Sequence, residues 1–122
     1  MNERPKILYV DDEIINLQLF EINFERKYEV FTADNGIKGL EILATIPDIL
    51  VAISDMKMPN MDGLEFIKLA KDKHPDVSFY ILTGFEITEG IQDALNSKVI
   101  LQYFRKPFNR NEIDIALTEA VK

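Results

Sequence analysis

The 122-residue chain contains no cysteine, which excludes disulfides and thiol chemistry and is compatible with a cytoplasmic location. It has no apolar run near the ~20 residues a membrane helix needs, and no basic-then-apolar opening that reads as a signal peptide. Positive charge is in deficit: 14 Lys and Arg stand against 21 Asp and Glu, a formal net charge of -7. Phosphate backbones demand clustered cations, so no direct contact with nucleic acid and no membrane partner is expected. Linkers, repeats and low-complexity tracts are absent as well. What is present, 47% hydrophobic and 29% charged residues, is the ordinary composition of a globular chain, read as one domain over 1–122. Met1 favours a natural N-terminus, although a stand-alone protein and one domain of a longer chain look alike at this level.

Strand signals at 6–10, 28–33, 49–54, 77–82 and 99–104 alternate with helix signals. That alternation predicts an α/β fold with a parallel sheet. The first helix, over 13–26, puts Leu17, Phe20 and Phe24 on one face. After the Asn35-Gly36 turn, Ile37, Leu40 and Ala44 are expected on the inner side of a helix stopped by Pro47. A third helix over 64–73 turns Phe66, Ile67 and Ala70 inward, and a fourth over 86–97 carries the stripe Ile87, Ile91, Ala94 and Leu95. Asn109, with Glu112 three residues on, starts the last helix, whose inner face is Ile113, Ala116, Leu117 and Ala120.

Several strands end in polar, reactive residues: Asp11-Asp12, Asp55, Thr83 and, after the fifth, Lys106-Pro107. A parallel sheet gathers its strand C-termini along one edge, where ligands bind, so these groups are expected in one pocket. One aspartate there is explained by a helix cap or a turn. Three at the ends of two central strands repel one another unless a cation intervenes, and a hard, oxygen-seeking ion such as Mg2+ suits them. Asp11 and Asp12, being adjacent, fit metal duty, which leaves Asp55 as a carboxylate nucleophile. The Lys106 ammonium and the Thr83 hydroxyl complete a set suited to acyl-phosphate formation: both contact transferred phosphoryl oxygens, with small Gly84 leaving room. Pro107 restrains the turn that delivers Lys106, and the preceding peptide bond is a candidate for the cis form.

Four blocks of this chain carry a resemblance: Val10-Asp11-Asp12-Glu13, then Ser54-Asp55-Met56-Lys57-Met58-Pro59-Asn60-Met61-Asp62-Gly63, then Leu82-Thr83-Gly84, then Arg105-Lys106-Pro107-Phe108. In order and spacing they strongly resemble the receiver domain of two-component response regulators, over the whole chain. The resemblance implies a flavodoxin-like, doubly wound five-stranded parallel sheet in the order 2-1-3-4-5 with five helices. It implies that Asp55 accepts a phosphoryl group from the phosphohistidine of a sensor histidine kinase or phosphotransfer protein. Mg2+, with Mn2+ as a substitute, would bind Asp12, Asp55 and the backbone carbonyl of Lys57, and Asp11 through water. Thr83 and Tyr103 match the family's switch pair, which would bias the face made by the fourth helix, fifth strand and last helix. That face would reach a downstream effector, and homodimerisation through it is a family habit.

Two features depart from or vary within the family. Asn96-Ser97-Lys98-Val99 lacks the Gly-Ala turn common before the fifth strand. Lys57 and Phe85 occupy the positions that influence attack of water on the acyl phosphate; bulky Phe85 predicts shielding and slow self-dephosphorylation, which Lys57 would modify. Three other readings compete. An aspartyl-nucleophile phosphatase needs a general acid two residues after the nucleophile, where Lys57 stands. A nucleotide or flavin binder needs a Gly-rich loop after the first strand, where Asp11-Asp12 stand. A phosphorylation-independent binding module would not need a complete site.

Overall fold

In the computed structural model, which describes residues 4–84 and 87–122, five strands alternate with five helices. These are β1 (Lys6–Val10), α1 (Ile14–Phe24), β2 (Glu29–Ala33), α2 (Gly36–Thr45) and β3 (Ile49–Asp55). There follow α3 (Gly63–Lys73), β4 (Ser78–Thr83), α4 (Glu89–Asn96), β5 (Gln102–Arg105) and α5 (Arg110–Ala120). All strand pairs are parallel, as the alternation predicted, and the order is β2-β1-β3-β4-β5, as the resemblance implied.

The continuous apolar runs of β1, β3 and β4 follow from burial on both faces. Side chains alternate across a strand. Leu8, Val10, Ala52, Phe79 and Ile81 therefore pack with α2, α3 and α4 on one side of the sheet. Ile7, Tyr9, Val51, Ile53, Tyr80 and Leu82 pack with α1 and α5 on the other. Leu17, Phe20 and Phe24 are buried on α1, and the Phe20 ring stacks on Tyr9 with centroids 4.3 Å apart. The opposite side of α1 is apolar too, with Ile14, Ile15, Leu19 and Ile22 exposed.

Three sequence expectations shift. On α2 the inner positions are Gly36, Gly39 and Leu43, with Leu40 partly buried; Ile37 is 57% exposed and Ala44 also faces out. The cause is close approach to α3, because a Cβ on Gly39 would sit 2.8 Å from the Phe66 ring. The glycine face wins over the bulkier one. Helix α4 starts at Glu89 rather than 86, because the Thr88 hydroxyl accepts a bond from the Ile91 N–H at 3.2 Å and caps it there. Strand β5 starts at Gln102 rather than 99. Lys98 takes a positive φ of 65°, and the N–H groups of Val99 and Ile100 both bond the Ala94 carbonyl, so 98–100 close the helix before the strand begins. This turn occupies the segment that lacks Gly-Ala. Phe85 lies outside the described residues.

Candidate functional site

The C-terminal ends of β1, β3, β4 and β5 bring the acidic and basic residues together. Asp11, Asp12 and Asp55 each offer a carboxylate oxygen, all within 4.8 Å of one another; Asp11 and Asp55 are buried and Asp12 is exposed. The Lys106 ammonium lies 3.0 Å from Asp55 Oδ1 and 3.8 Å from Asp11 Oδ2. Its position is set by backbone: the Lys106 N–H bonds the Thr83 carbonyl at 2.8 Å, and the Lys106–Pro107 peptide is cis.

Thr83 is buried at the end of β4, beside β5 in the register Ile81↔Tyr103 and Thr83↔Arg105. Thr83, Ile81 and Tyr103 therefore share a sheet face, with Tyr103 half-buried against the α3–α4 core. On the open side a cavity of about 470 Å³ is lined by Asp12, Met56, Lys57, Thr83, Thr88 and Ile91. Among the described residues an added Cβ on Gly84 would meet the Lys106 stem alone, at 3.6 Å, an ordinary contact.

The loop after β3 is shaped by its own backbone. The Met56 N–H bonds the Leu82 carbonyl, the Gly63 N–H returns to the Met56 carbonyl at 2.8 Å, and Asn60 adopts a positive φ of 70°. Asp62 then caps α3: its side chain accepts from the Glu65 N–H, and the Glu65 side chain accepts from the Asp62 N–H. This capping box escaped the sequence reading, although Asp62 and Glu65 have the spacing that marks one.

Two further residues reach the site without having been anticipated. The Tyr9 hydroxyl donates to Asp11 Oδ2 at 2.7 Å, and Asn16 Nδ2 donates to the same oxygen at 3.2 Å. The Glu13 N–H donates to Asp11 Oδ1 at 2.9 Å. The signal for Tyr9 was its place two residues before Asp11 on one strand, hence on one face.

Electrostatics explain what the pocket takes. Burial pushes the Asp55 carboxyl above the ordinary carboxylate range; Asp11 and Asp12 push the same way, and Lys106 pulls against them. Burial alone would lower Lys106, yet its bond and charge pairing with Asp55, and then Asp11, hold it above the ordinary lysine value. A carboxyl raised in the folded state favours folding only while protonated, and that contribution fades as pH climbs through its folded value. Once ionised, Asp55 is thus a cost to the ion-free domain. Lys106 brings one positive charge against three negative ones, and a divalent, oxygen-seeking cation fits this donor set.

A family model described as the response regulator receiver domain matches residues 7–118. Sporulation initiation phosphotransferase F of Bacillus subtilis is 37% identical over 114 residues, covering 93% of this chain and 89% of that protein. The hydrogenase transcriptional regulatory protein HoxA of Cupriavidus necator is 24% identical over 99% of this chain, which spans only 25% of HoxA. Among solved structures, a response regulator receiver domain protein from Clostridium thermocellum superposes with a TM-score of 0.87 at 32% identity, covering 95% of this chain and 93% of that one. The acidic strand ends, the parallel sheet they sit on and a family match over nearly every element agree, and this chain belongs to the response regulator receiver domain family.

Proposed function

We propose that Asp55 is the phosphoacceptor of this receiver domain, in two-component signal transduction. The observation that supports it most is the Asp55 carboxylate 3.0 Å from the Lys106 ammonium, beside Asp11 and Asp12. A carboxylate oxygen of Asp55 attacks phosphorus; the new O–P bond forms as the N–P bond of a phosphohistidine breaks, and its electron pair returns to the imidazole nitrogen. Lys106 neutralises a phosphoryl oxygen and Thr83 donates its hydroxyl to another. Mg2+, or Mn2+ in its place, would be held by Asp12, Asp55, the Lys57 carbonyl and, through water, Asp11, and when bound it supplies charge neutralisation at the phosphoryl group. Thr83 and Tyr103 form the switch pair: movement of the hydroxyl toward the phosphoryl group frees space for the Tyr103 ring behind it on the same sheet face. Lys57 and Phe85 tune how long the acyl phosphate survives, and the domain itself is an acceptor with only slow self-turnover.

The partners on this reading are a sensor histidine kinase or phosphotransfer protein and a downstream effector reached through the α4–β5–α5 face, with homodimerisation through that face. The cytoplasm is the proposed location; among the described residues no helix is long and apolar enough to cross a membrane. The phosphodonor has to pass the first turn of α1, which begins three residues after Asp11 with Ile14 and Ile15 exposed. An apolar patch at that place suits a protein donor. Ile15→Glu is expected to slow transfer from a phosphohistidine protein about 10-fold, the effect of spoiling one well-packed contact of about 1.4 kcal/mol. The rate from a small acyl-phosphate donor should be unchanged; equal slowing with both donors would remove α1 from the docking surface.

The acceptor reading is tested by incubating the domain with Mg2+ and a small acyl-phosphate donor and measuring intact mass. One covalent phosphoryl group is expected, and none when a chelator removes the metal. No adduct with any donor would leave a phosphorylation-independent binding module, and rapid turnover of varied phosphate esters would make the protein a phosphatase.

A further inference from the structure

We propose that Tyr9 is a positioning residue that holds Asp11 for the cation and so keeps Lys106 on Asp55; this rests on the reading of the acidic cluster as a Mg2+ site. Tyr9 is completely buried, and its ring is fixed by stacking on Phe20 at an interplanar angle of 12°. Its hydroxyl makes the shortest of the bonds to Asp11, 2.7 Å to Oδ2, while Asn16 reaches that oxygen at 3.2 Å. The Glu13 N–H holds the other oxygen at 2.9 Å. Asp11 is therefore gripped at both ends by groups on β1 and at the start of α1.

The grip matters because Lys106 has two carboxylates in reach. Its ammonium sits at 3.0 Å from Asp55 and 3.8 Å from Asp11, an unequal division. A buried carboxylate oxygen that loses its best donor takes the nearest replacement, since an unsatisfied buried acceptor is costly. Asp11 Oδ2 would keep only the longer Asn16 bond, and the Lys106 ammonium, 3.8 Å away, is the next donor in reach. Without the Tyr9 hydroxyl, Asp11 and Lys106 would close on each other. The cation would then meet at Asp11 a carboxylate that has lost its fixed orientation and is paired with an ammonium, and this loss outweighs the release of Asp55 from the same ammonium. Groups that orient metal-binding carboxylates change affinity by about 10–100-fold when removed.

The chosen change is Tyr9→Phe, which deletes only the hydroxyl and keeps the ring that stacks on Phe20. Mg2+ is titrated by calorimetry into the full chain as wild type, Tyr9→Phe, Asp11→Asn and the double variant, with thermal melts to verify folding. Tyr9→Phe should weaken Mg2+ binding about 10-fold. In the Asp11→Asn background the same change should have no further effect, because the group it positions is gone. A purely structural hydroxyl would cost the same in both backgrounds, and that result would overturn the proposal. So would a Tyr9→Phe affinity within about twofold of wild type, the scatter of such a measurement. Failure of the wild type to bind Mg2+ would instead overturn the metal reading and the inference with it.

Discussion

Lys106→Ala is expected to slow phosphorylation of Asp55 by about 10²-fold, the usual effect of removing one fixed group that neutralises developing charge. The same change should tighten Mg2+ binding, because the ammonium 3.0 Å from Asp55 competes for the oxygens a cation needs. Opposite signs for metal binding and phosphoryl acceptance are the mark of this residue; a lysine that merely helped folding would weaken both. Stability should respond to pH as well. Lys106 has a folded value raised above its ordinary one, so its contribution is fully present throughout the neutral range and lost only in strong alkali. Without it the pull that opposes burial and the aspartates at Asp55 is lost. The ion-free variant should therefore lose more stability than wild type as pH rises above the ordinary carboxylate range. The deficit should stay on the order of 1 kcal/mol, since the side chain is 26% exposed and the pair is partly screened. Urea unfolding at several pH values, with and without Mg2+, measures it.

Gly63→Ala should be the most damaging small substitution in the site. A Cβ there would lie 2.4 Å from the Asp55 carbonyl oxygen and 3.0 Å from Ile81 Cδ1. The first of these is backbone at the end of the central strand and has no rotamer with which to yield. The Gly63 N–H also bonds the Met56 carbonyl, so moving the helix start would break the loop that carries Lys57. The expected cost is about 3 kcal/mol, the upper part of the range for overpacking a tight core. Phosphoryl acceptance should fall together with stability, because the atom displaced belongs to Asp55 itself. Guanidinium denaturation and the adduct assay check the two effects. An alanine variant of wild-type stability would show that the loop has more freedom than this contact allows.

The sequence made the parallel sheet and the acidic edge legible because both rest on strong local patterns. Apolar strands ending in Asp11-Asp12, Asp55 and Thr83 can gather those groups only if the sheet is parallel. Resemblance supplied the strand order. The α2 face was misjudged because periodicity rewards bulk, whereas packing against Phe66 required the least bulky side of the helix, Gly36 and Gly39. The β5 start was misjudged because Val99 and Ile100 are apolar yet spent on closing the helix, and the first bond to β4 comes only from the Leu101 N–H to the Phe79 carbonyl. Tyr9 was hidden for a related reason. In an apolar strand it reads as core, and only the fold shows that its hydroxyl meets Asp11. Hydrophobic pattern reports which residues are buried; it does not report which polar tips they carry to one another.

The central claim is that one carboxylate, Asp55, takes the phosphoryl group. The most direct measurement compares the intact mass of wild type, Asp55→Asn and Asp76→Asn after exposure to a small acyl-phosphate donor and Mg2+. Asp76 is an exposed residue next to Pro75, outside the acidic cluster. The adduct should form on wild type and Asp76→Asn and be absent from Asp55→Asn. An adduct that persists in Asp55→Asn at the wild-type level would contradict the claim and move the acceptor to another residue.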